Sequence, residues 1–486
     1  MIFLKFSPII VMVAALLSGI DVKVAACYAT IYGIIIAMLV EKREFKEVTN
    51  IVYEGVATII EVFFILMFSY AMAEVFMATG VGASIIRISL RLGLTSKSVA
   101  LVGFLVTCVL SVATGTSWGT FAACAPIFLW ANHIVGGSVA LTMASIVGGS
   151  CFGDNIGLIS DTTIVSSGIQ NVDIVDRIRH QGIWSILCLI LAAILIYFTA
   201  VGMQFPDKAI SAEEAIEQIP EEAWVTLEAE RPSAVALLNQ VKEGVPGYMA
   251  IPLVVVLGFA FKGIPTIICL LLGILSAFIL GLGAKTIDFM TLSDLLFTGF
   301  SDAGNHSVSM MLWAVAFGTV MNMMNAFEPL SRFILRISRS VRQLMFYNGL
   351  LCIFGNIALA DEMAQIVTIG PIIKDMTDEN VEASEEDMYK LRLRNATLSD
   401  AMGVYSAQFV PWHCYVVYFI TIASSIYPLH QFTFGDVIKY NYMCIIAVVS
   451  ILILTLTGAD KLVPLFSIPN EPQVKLKRKE DTPISE

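Results

Sequence analysis

Two aspartates, Asp154 and Asp161, stand inside the window Phe152-Gly-Asp-Asn-Ile-Gly-Leu-Ile-Ser-Asp-Thr-Thr163, within an otherwise apolar stretch. A carboxylate in a hydrocarbon layer costs about 2.5–3.5 kcal/mol on insertion scales, so each needs a partner or a wet cavity. Carboxylate, hydroxyl and main-chain carbonyl oxygens together suit a hard cation such as Na⁺ or hydronium. Asp154, Asn155, Ser160, Asp161, Thr162 and Thr163 are therefore the first candidate ion-binding group, with Asp154 and Asp161 as cation ligands. Gly153 and Gly157 would let a helix unwind here and turn carbonyls inward. Ser160 or Asp161 also reads as the N-cap of a following helix.

A second group lies far along the chain. Asp400 is a further candidate cation ligand, with Ser399 and Ser406 as oxygen donors. Asp361 and Glu362 are adjacent acids, whose mutual repulsion favours protonating one of them; either could instead cap a half-helix. Gly115-Thr116-Ser117-Trp118-Gly119-Thr120 offers hydroxyls and backbone N–H groups to an anionic ligand group at a half-helix end, and equally reads as a re-entrant turn packed by Trp118. Pro411-Trp412-His413 reads as a helix break beside a cavity-lining aromatic, with His413 either titrating or hydrogen-bonded structurally. Thr116, Ser117, Trp118, Thr120, Asp361, Glu362, Pro411, Trp412 and His413 thus form the candidate substrate-binding set. Glu54 and Glu61 share a helix face, and Glu61, among apolar neighbours, is a candidate for a proton or subunit-interface role.

The elements that carry these residues are set by composition. Of 486 residues, 57% are hydrophobic and 14% charged, with a mean hydropathy of +0.80. A water-soluble monomer does not tolerate that much apolar surface, so a polytopic, all-α protein of the bacterial cytoplasmic (inner) membrane is expected, with lipid as its partner. A span needs roughly 20 apolar residues. Val24–Val40, Ile51–Thr79, Val99–Ala113, Gly182–Met203, Met249–Phe261, Ile264–Leu282, Leu295–Met324, Met345–Ala360, Tyr415–Ile426 and Met443–Leu456 are candidates. Ser7–Ile20, preceded only by Lys5, reads as half of a first membrane hairpin rather than a leader. Gly115–Trp130, Ala140–Ser167, Asp361–Ile373 and Asn395–Trp412 carry Gly, Pro, Asp, Ser and Thr where an anchor helix would carry Leu. These are expected to be broken helices or re-entrant segments, tolerated only where protein or a cavity satisfies the backbone.

The chain also resembles itself. Arg87-Ile-Ser89 recurs at Arg336-Ile-Ser338, each in a basic amphipathic stretch, and the breaks 115–120 and 360–365 follow, with prolines at Pro126 and Pro371. Asp154-x-x-Gly157-x-x-Ser160 then faces Asp400-x-x-Gly403-x-x-Ser406. Matches in one order at nearly one offset indicate a duplication, and paired broken segments in two halves point to a secondary transporter's site. The expected division is 1–203 as first repeat, 204–247 as an acidic linker, 248–460 as second repeat and 461–486 as a basic cytoplasmic tail. Within the linker, Ser211 and Glu214 form a capping-box pattern, and Pro232 should open a helix that Gly244 ends. A cytoplasmic tail (Lys475–Lys479) with an acidic linker outside requires an odd number of crossings in the second half, which favours inversion.

Some classes are excluded. The net charge of −11 lacks the basic footprint of a nucleic-acid binder. No GxxxxGK[ST], HExxH or Ser-His-Asp grouping occurs, so neither ATP-driven transport nor an enzyme is expected. The nine cysteines are scattered singly in apolar runs, as small buried side chains rather than a disulfide frame or metal site, and no cofactor is expected.

Gly115-Thr-Ser-Trp-Gly-Thr120 with Pro126, Phe152-Gly-Asp-Asn155, Ser160-Asp-Thr-Thr163, and Leu398-Ser-Asp400 leading to Pro411-Trp412 together resemble the NhaC-type sodium/proton antiporters, over most of the chain from about Thr114 to His413. The resemblance implies the ion transporter superfamily: inverted repeats, a scaffold domain for dimerisation and a mobile transport domain. It implies Na⁺/H⁺ exchange, with Asp154, Asp161 and Asp400 binding the two cations alternately. Relatives that carry malate, lactate or amino acids imply a second reading, a Na⁺- or H⁺-coupled carrier of a small carboxylate or amino acid. Two departures fall at the site. Gly157-Leu158-Ile159 stands where the family usually has a proline, and His413 stands where an asparagine commonly follows Pro-Trp.

Overall fold

The computed structural model describes residues 2–477 apart from 19, 58–59, 92, 158–159, 204, 206–215, 218, 220, 231, 261 and 263. Ser211 and Glu214, Leu158 and Ile159, and the tail beyond Lys477 lie outside the described residues, as do the side chains of Glu61 and Asp161. The first half contains α1 (Ile2–Leu17), α2 (Val22–Glu41), α3 (Phe45–Ala57), α4 (Ile60–Thr79), α5 (Val81–Arg91), α6 (Val99–Thr114), α7 (Ser117–Val135), α8 (Val139–Ile156), α9 (Asp161–Ile169) and α10 (Ile174–Gly202). Among the described residues the linker contains α11 (Glu221–Glu230) and α12 (Pro232–Glu243). The second half contains α13 (Ile251–Ala260), α14 (Thr266–Ala284), α15 (Phe289–Asp302), α16 (Ser309–Met323), α17 (Glu328–Ile337), α18 (Val341–Leu359), α19 (Glu362–Asn380), α20 (Glu385–Tyr405), α21 (Cys414–Ile426), α22 (Phe434–Ile438) and α23 (Tyr442–Thr457). The expected span Ile51–Thr79 is helical on both sides of residues 58–59, which lie outside the described residues.

Among the described residues, Lys23–Glu41, Ile174–Gly202 and Ile267–Ala284 are long and apolar enough to cross a membrane. Two bent pairs also qualify, Phe63–Thr79 with Val81–Ile88 (67°) and Glu385–Phe409 with Cys414–Ile426 (52°). Lipid explains their surfaces. Ile186, Leu187, Ile190, Leu191, Ile194 and Phe198 of α10 are exposed together, at the helical spacing that lines one face.

Helices of the two halves correspond in order, and their directions are opposed. α2 runs alongside α16 in the same sense: Lys23 Nζ donates to Asn305 O (3.1 Å), Thr30 Oγ1 to Trp313 O (3.3 Å), and Gly33 abuts Val320. α4 runs alongside α14 in the same sense, with Gly273 against Met72 and Gly281 against Thr79. α15 passes α4 the other way, from Thr286, whose Oγ1 donates to Thr79 O, to Phe300 against Phe68. A π-helical turn, Ala303–Val308, joins α15 to α16 as one continuous rod. α16 is therefore antiparallel to α4, and α2 to α14. The last pair agrees: α10 and α23 meet at Trp184–Ser450 and Thr199–Tyr442, one number rising as the other falls. The halves form an inverted repeat.

Each half also folds back on itself. α6 lies parallel to α8, with Gly103, Thr107 and Ser111 against Ile146, Gly149 and Gly153. A short turn reverses α7 into α8, so α6 and α7 make a hairpin whose tip is Gly115–Thr116. α18 likewise lies parallel to α20, with Gly349 against Leu398 and Asn356 bonded to Met402 O and Gly403 O, and the second tip is Ala360–Asp361. The tips are superposable in dihedral angle. Gly115 (φ 69°, ψ 17°) and Ala360 (φ 56°, ψ 18°) are left-handed, and Thr116 (−146°, 131°) and Asp361 (−147°, 133°) are extended.

Pro232 opens α12, and Gly244 (φ +97°) follows its end. This linker helix docks on the first half: Arg87 Nη1 of α5 donates to Val241 O (2.9 Å) and Ser233 Oγ to Glu74 Oε2 (2.5 Å). Arg342 instead binds the C-terminal segment, through Asp460 (2.9 Å) and Asn470 (2.7 Å). β2 (Lys475–Leu476) pairs with β1 (Val381–Glu382). The two basic stretches thus keep different company, one with the linker and one with the tail, as inversion requires.

Candidate functional site

α8 unwinds where the sequence places its glycine. Gly157 is extended (φ −73°, ψ 129°), and Ser160 caps α9 by accepting from Thr163 N. Gly153 does not unwind. It remains helical, and a Cβ there would lie 2.0 Å from the Ser111 backbone, so its role is close approach of α6 and α8 rather than flexibility. At the break the Asp154 carbonyl oxygen is approached by the hydroxyls of Ser160 (2.8 Å), Thr162 (3.1 Å) and Thr163 (2.8 Å). A carbonyl has two lone pairs, so three hydroxyls cannot all donate to it at once. The Asp154 carboxylate accepts from Ser117 N (2.9 Å), in the first turn of α7, and from Tyr415 OH (2.7 Å). It therefore ties the first hairpin tip to α21.

Asp400 of α20 arrives at the same place. Its Oδ2 accepts from Asn155 Nδ2 (3.3 Å) and Thr163 Oγ1 (3.4 Å), and is ion-paired with Arg177, both side chains being fully buried. Its Oδ1 is buried without a hydrogen-bond partner among the described residues. Arg177 also donates to Ser166 Oγ (3.2 Å) and Thr163 O (3.3 Å), and Gln181 of the same helix donates to Asn155 O and to Asn155 Oδ1 (3.2 Å). Asp154, Asp400 and Arg177 together carry one net negative charge. All the candidate ion-binding residues of the first half with a described side chain converge here.

Ser406 does not. The second motif diverges in backbone from the first, because α20 stays helical through Gly403, which packs on Gln365 and Ile366. The break is delayed to Val410–His413, after a 3₁₀ turn over Ser406–Phe409. Ser406 bonds back to Met402 O (2.5 Å) and accepts from Asn356 Nδ2 (2.9 Å).

The candidate substrate set separates into two. Trp118 stacks on Tyr415 (4.8 Å between centroids, 29°), and Thr116, Ser117 and Thr120 are buried beside it. Asp361 caps α19 by accepting from Ala364 N (2.8 Å) and has Oδ2 3.4 Å from Cys414 Sγ, while Glu362, His413 and Cys414 cluster together, and Cys414 N donates to Ala360 O (2.9 Å). Pro411 and Trp412 stand apart. Pro411 is exposed, and Trp412 Nε1 bonds the Ile357 carbonyl (3.0 Å). Arg177, Gln181, Tyr415, Cys414 and Asn356 were not singled out by type or spacing. A basic residue a few positions before a span reads as interfacial, and a tyrosine in an apolar run as a lipid-facing ring.

The profile of the Na⁺/H⁺ antiporter family matches residues 2–203 and 149–459. Over 183 residues the chain is 31% identical to the malate-2H(+)/Na(+)-lactate antiporter of Bacillus subtilis (strain 168), covering 37% of this chain and 38% of that protein. It is 26% identical over 278 residues to the Na(+)/H(+) antiporter NhaC of the same organism, covering 56% of this chain and 60% of that one. The chain thus spans roughly two-fifths to three-fifths of the length of these relatives. The solved YdaH transporter of Alcanivorax borkumensis aligns with a TM-score of 0.41 at 14% identity, over 86% of this chain and 90% of that one. With both halves matched by one profile, this multi-pass membrane protein belongs to the Na⁺/H⁺ antiporter family.

Proposed function

We propose that the protein exchanges Na⁺ for H⁺ by alternating access in the cytoplasmic membrane of a bacterium, at the break between α8 and α9. One observation carries the reading: a buried set of oxygens, the oversubscribed Asp154 carbonyl, three hydroxyls and the Asp400 Oδ1 that has no partner among the described residues, beside a net charge of minus one. Such a donor set suits a hard cation. Na⁺ or H⁺ neutralises the charge equally well, so one displaces the other. The unloaded site leaves a carboxylate unbalanced in a low-dielectric interior, which opposes reorientation without a cation.

Arg177 is the fixed counter-cation of Asp400, which leaves Asp154 as the carboxylate whose charge is balanced by the transported ion. Neutralising Asp154 weakens its hold on Ser117 and Tyr415, and so loosens the first hairpin tip from α21. Asp161 stands at the first position of α9, within reach of the same break by sequence. Repeats 1–203 and 248–460 are the two inverted halves, and a homodimer is expected. The side bearing Arg332, Arg336, Arg339, Lys475 and Lys477 faces the cytoplasm, following the positive-inside rule.

In proteoliposomes, an outward Na⁺ gradient with no organic solute should acidify the lumen, and Asp154→Asn should abolish the response. The relative named for malate and lactate favours a second reading, an organic-acid carrier. Proton movement that appears only when a small carboxylate or amino acid is added would select it.

A further inference from the structure

Four side chains that the exchange does not use meet at the second hairpin tip. Asp361 and Glu362 come from the start of α19, and His413 and Cys414 from the start of α21; all four are buried. Cys414 Sγ lies 3.2 Å from Glu362 Oε2, 3.4 Å from Asp361 Oδ2 and 3.7 Å from His413 Nδ1. One ligand atom each from Glu362, His413 and Cys414 falls within 4.8 Å of the others. Zn²⁺ bonds run about 2.3 Å to thiolate, 2.0–2.1 Å to imidazole and 2.0–2.2 Å to carboxylate. Tetrahedral geometry at those lengths makes the edges from sulfur roughly 3.5 Å. The three distances from Cys414 Sγ already bracket that value.

The surroundings fit as well. Asn356 Oδ1 lies 3.3 Å from His413 Nε2. A proton on Nε2 donated to that oxygen leaves the Nδ1 lone pair facing the thiol, the outer-shell orientation typical of a metal-bound histidine. Nδ1 accepts a 3.2 Å bond from Tyr415 N, which a bound cation would displace. Asp361 uses Oδ1 to cap α19 and has Oδ2 toward the thiol. A set of one sulfur, one nitrogen and one carboxylate is chemically unlike the oxygen cluster at the first break, and hard cations such as Na⁺ and Mg²⁺ disfavour it.

We infer that Glu362, His413 and Cys414, with Asp361 beside the thiol, form a binding site for a thiophilic divalent cation of the Zn²⁺ type, which pins the start of α19 to the start of α21. Binding releases the Cys414 thiol proton to solvent and leaves a thiolate on the metal. The site does not depend on the exchange reaction.

The test is titration of the purified full-length protein with Co²⁺, then Zn²⁺. A thiolate-to-cobalt charge-transfer band should appear in the near ultraviolet and be bleached by Zn²⁺. Cys414→Ser should abolish the band, and His413→Gln or Glu362→Gln should weaken Zn²⁺ binding by about tenfold or more. Cys269→Ser, remote from the tip, should leave the band intact. Gel filtration identifies any variant that does not fold, and the three substitutions at the site substitute for one another in that event. Absence of the band from the wild-type protein, or a band that survives Cys414→Ser unchanged, overturns the assignment.

Discussion

The two hairpin tips share one backbone and hold different chemistry. Gly115–Thr116 and Ala360–Asp361 agree within about 13° in every dihedral angle. The first tip delivers a bare backbone N–H, from Ser117, to the Asp154 carboxylate. The second delivers the carboxylates themselves, Asp361 and Glu362, to a histidine and a cysteine. The breaks they face differ too: α8 unwinds at the motif glycine, whereas α20 runs on past its own. Duplication preserved the geometry that exposes helix ends in the interior, while the side chains there diverged, so among the described residues the oxygen-rich cluster forms at the first break and not at the second tip.

That contrast can be broken by substitution. The largest effect is expected from Asp154→Asn, which should reduce Na⁺-driven proton flux to the level of empty liposomes, whereas the motif counterpart of Ser160, Ser406→Ala, should retain flux. Next comes Arg177→Gln, which strands Asp400 as a buried charge and should cost about 3–5 kcal/mol in denaturation of the detergent-solubilised protein. Arg177→Gln with Asp400→Asn should recover much of that loss, because the pair is removed together. Gly153→Ala should cost about 1–3 kcal/mol by forcing α6 from α8. Gly403→Ala should cost less, because its added Cβ meets the end of the Gln365 side chain at 2.8 Å rather than backbone at 2.0 Å. The smallest effects have opposite signs. Gly115→Ala should destabilise by about 1 kcal/mol and Ala360→Gly should stabilise by up to a similar amount, since both positions are left-handed.

Much of this was legible in the sequence, for reasons that also explain the gaps. The spacing between Asp154 and Asp400 survives because each aspartate sits on a helix of the repeat, and the tips keep their small or capping residues because the backbone turn demands them. Pro232 and Gly244 were legible because each acts locally, one by fixing φ and the other by accepting a positive φ. Arg177 was not. It lies in Asp176-Arg-Ile-Arg-His180, which reads as the charged rim of the span beginning at Gly182, and only the turn of α10 toward α20 carries it to Asp400. Gly153 misled for a related reason, since a glycine in a helix is read as a weakness unless the neighbouring helix is known. Ser406 shows the limit of the repeat: a matched letter does not carry a matched role once the break has moved.

The central claim is that Na⁺ and H⁺ compete for one site whose charge is set by Asp154. Equilibrium binding of radioactive sodium to the purified protein, followed across pH, tests it without any transport step. Saturable binding that weakens as pH falls, and vanishes in Asp154→Asn, is the predicted result. Sodium binding that is unchanged in Asp154→Asn, or indifferent to pH, would contradict it.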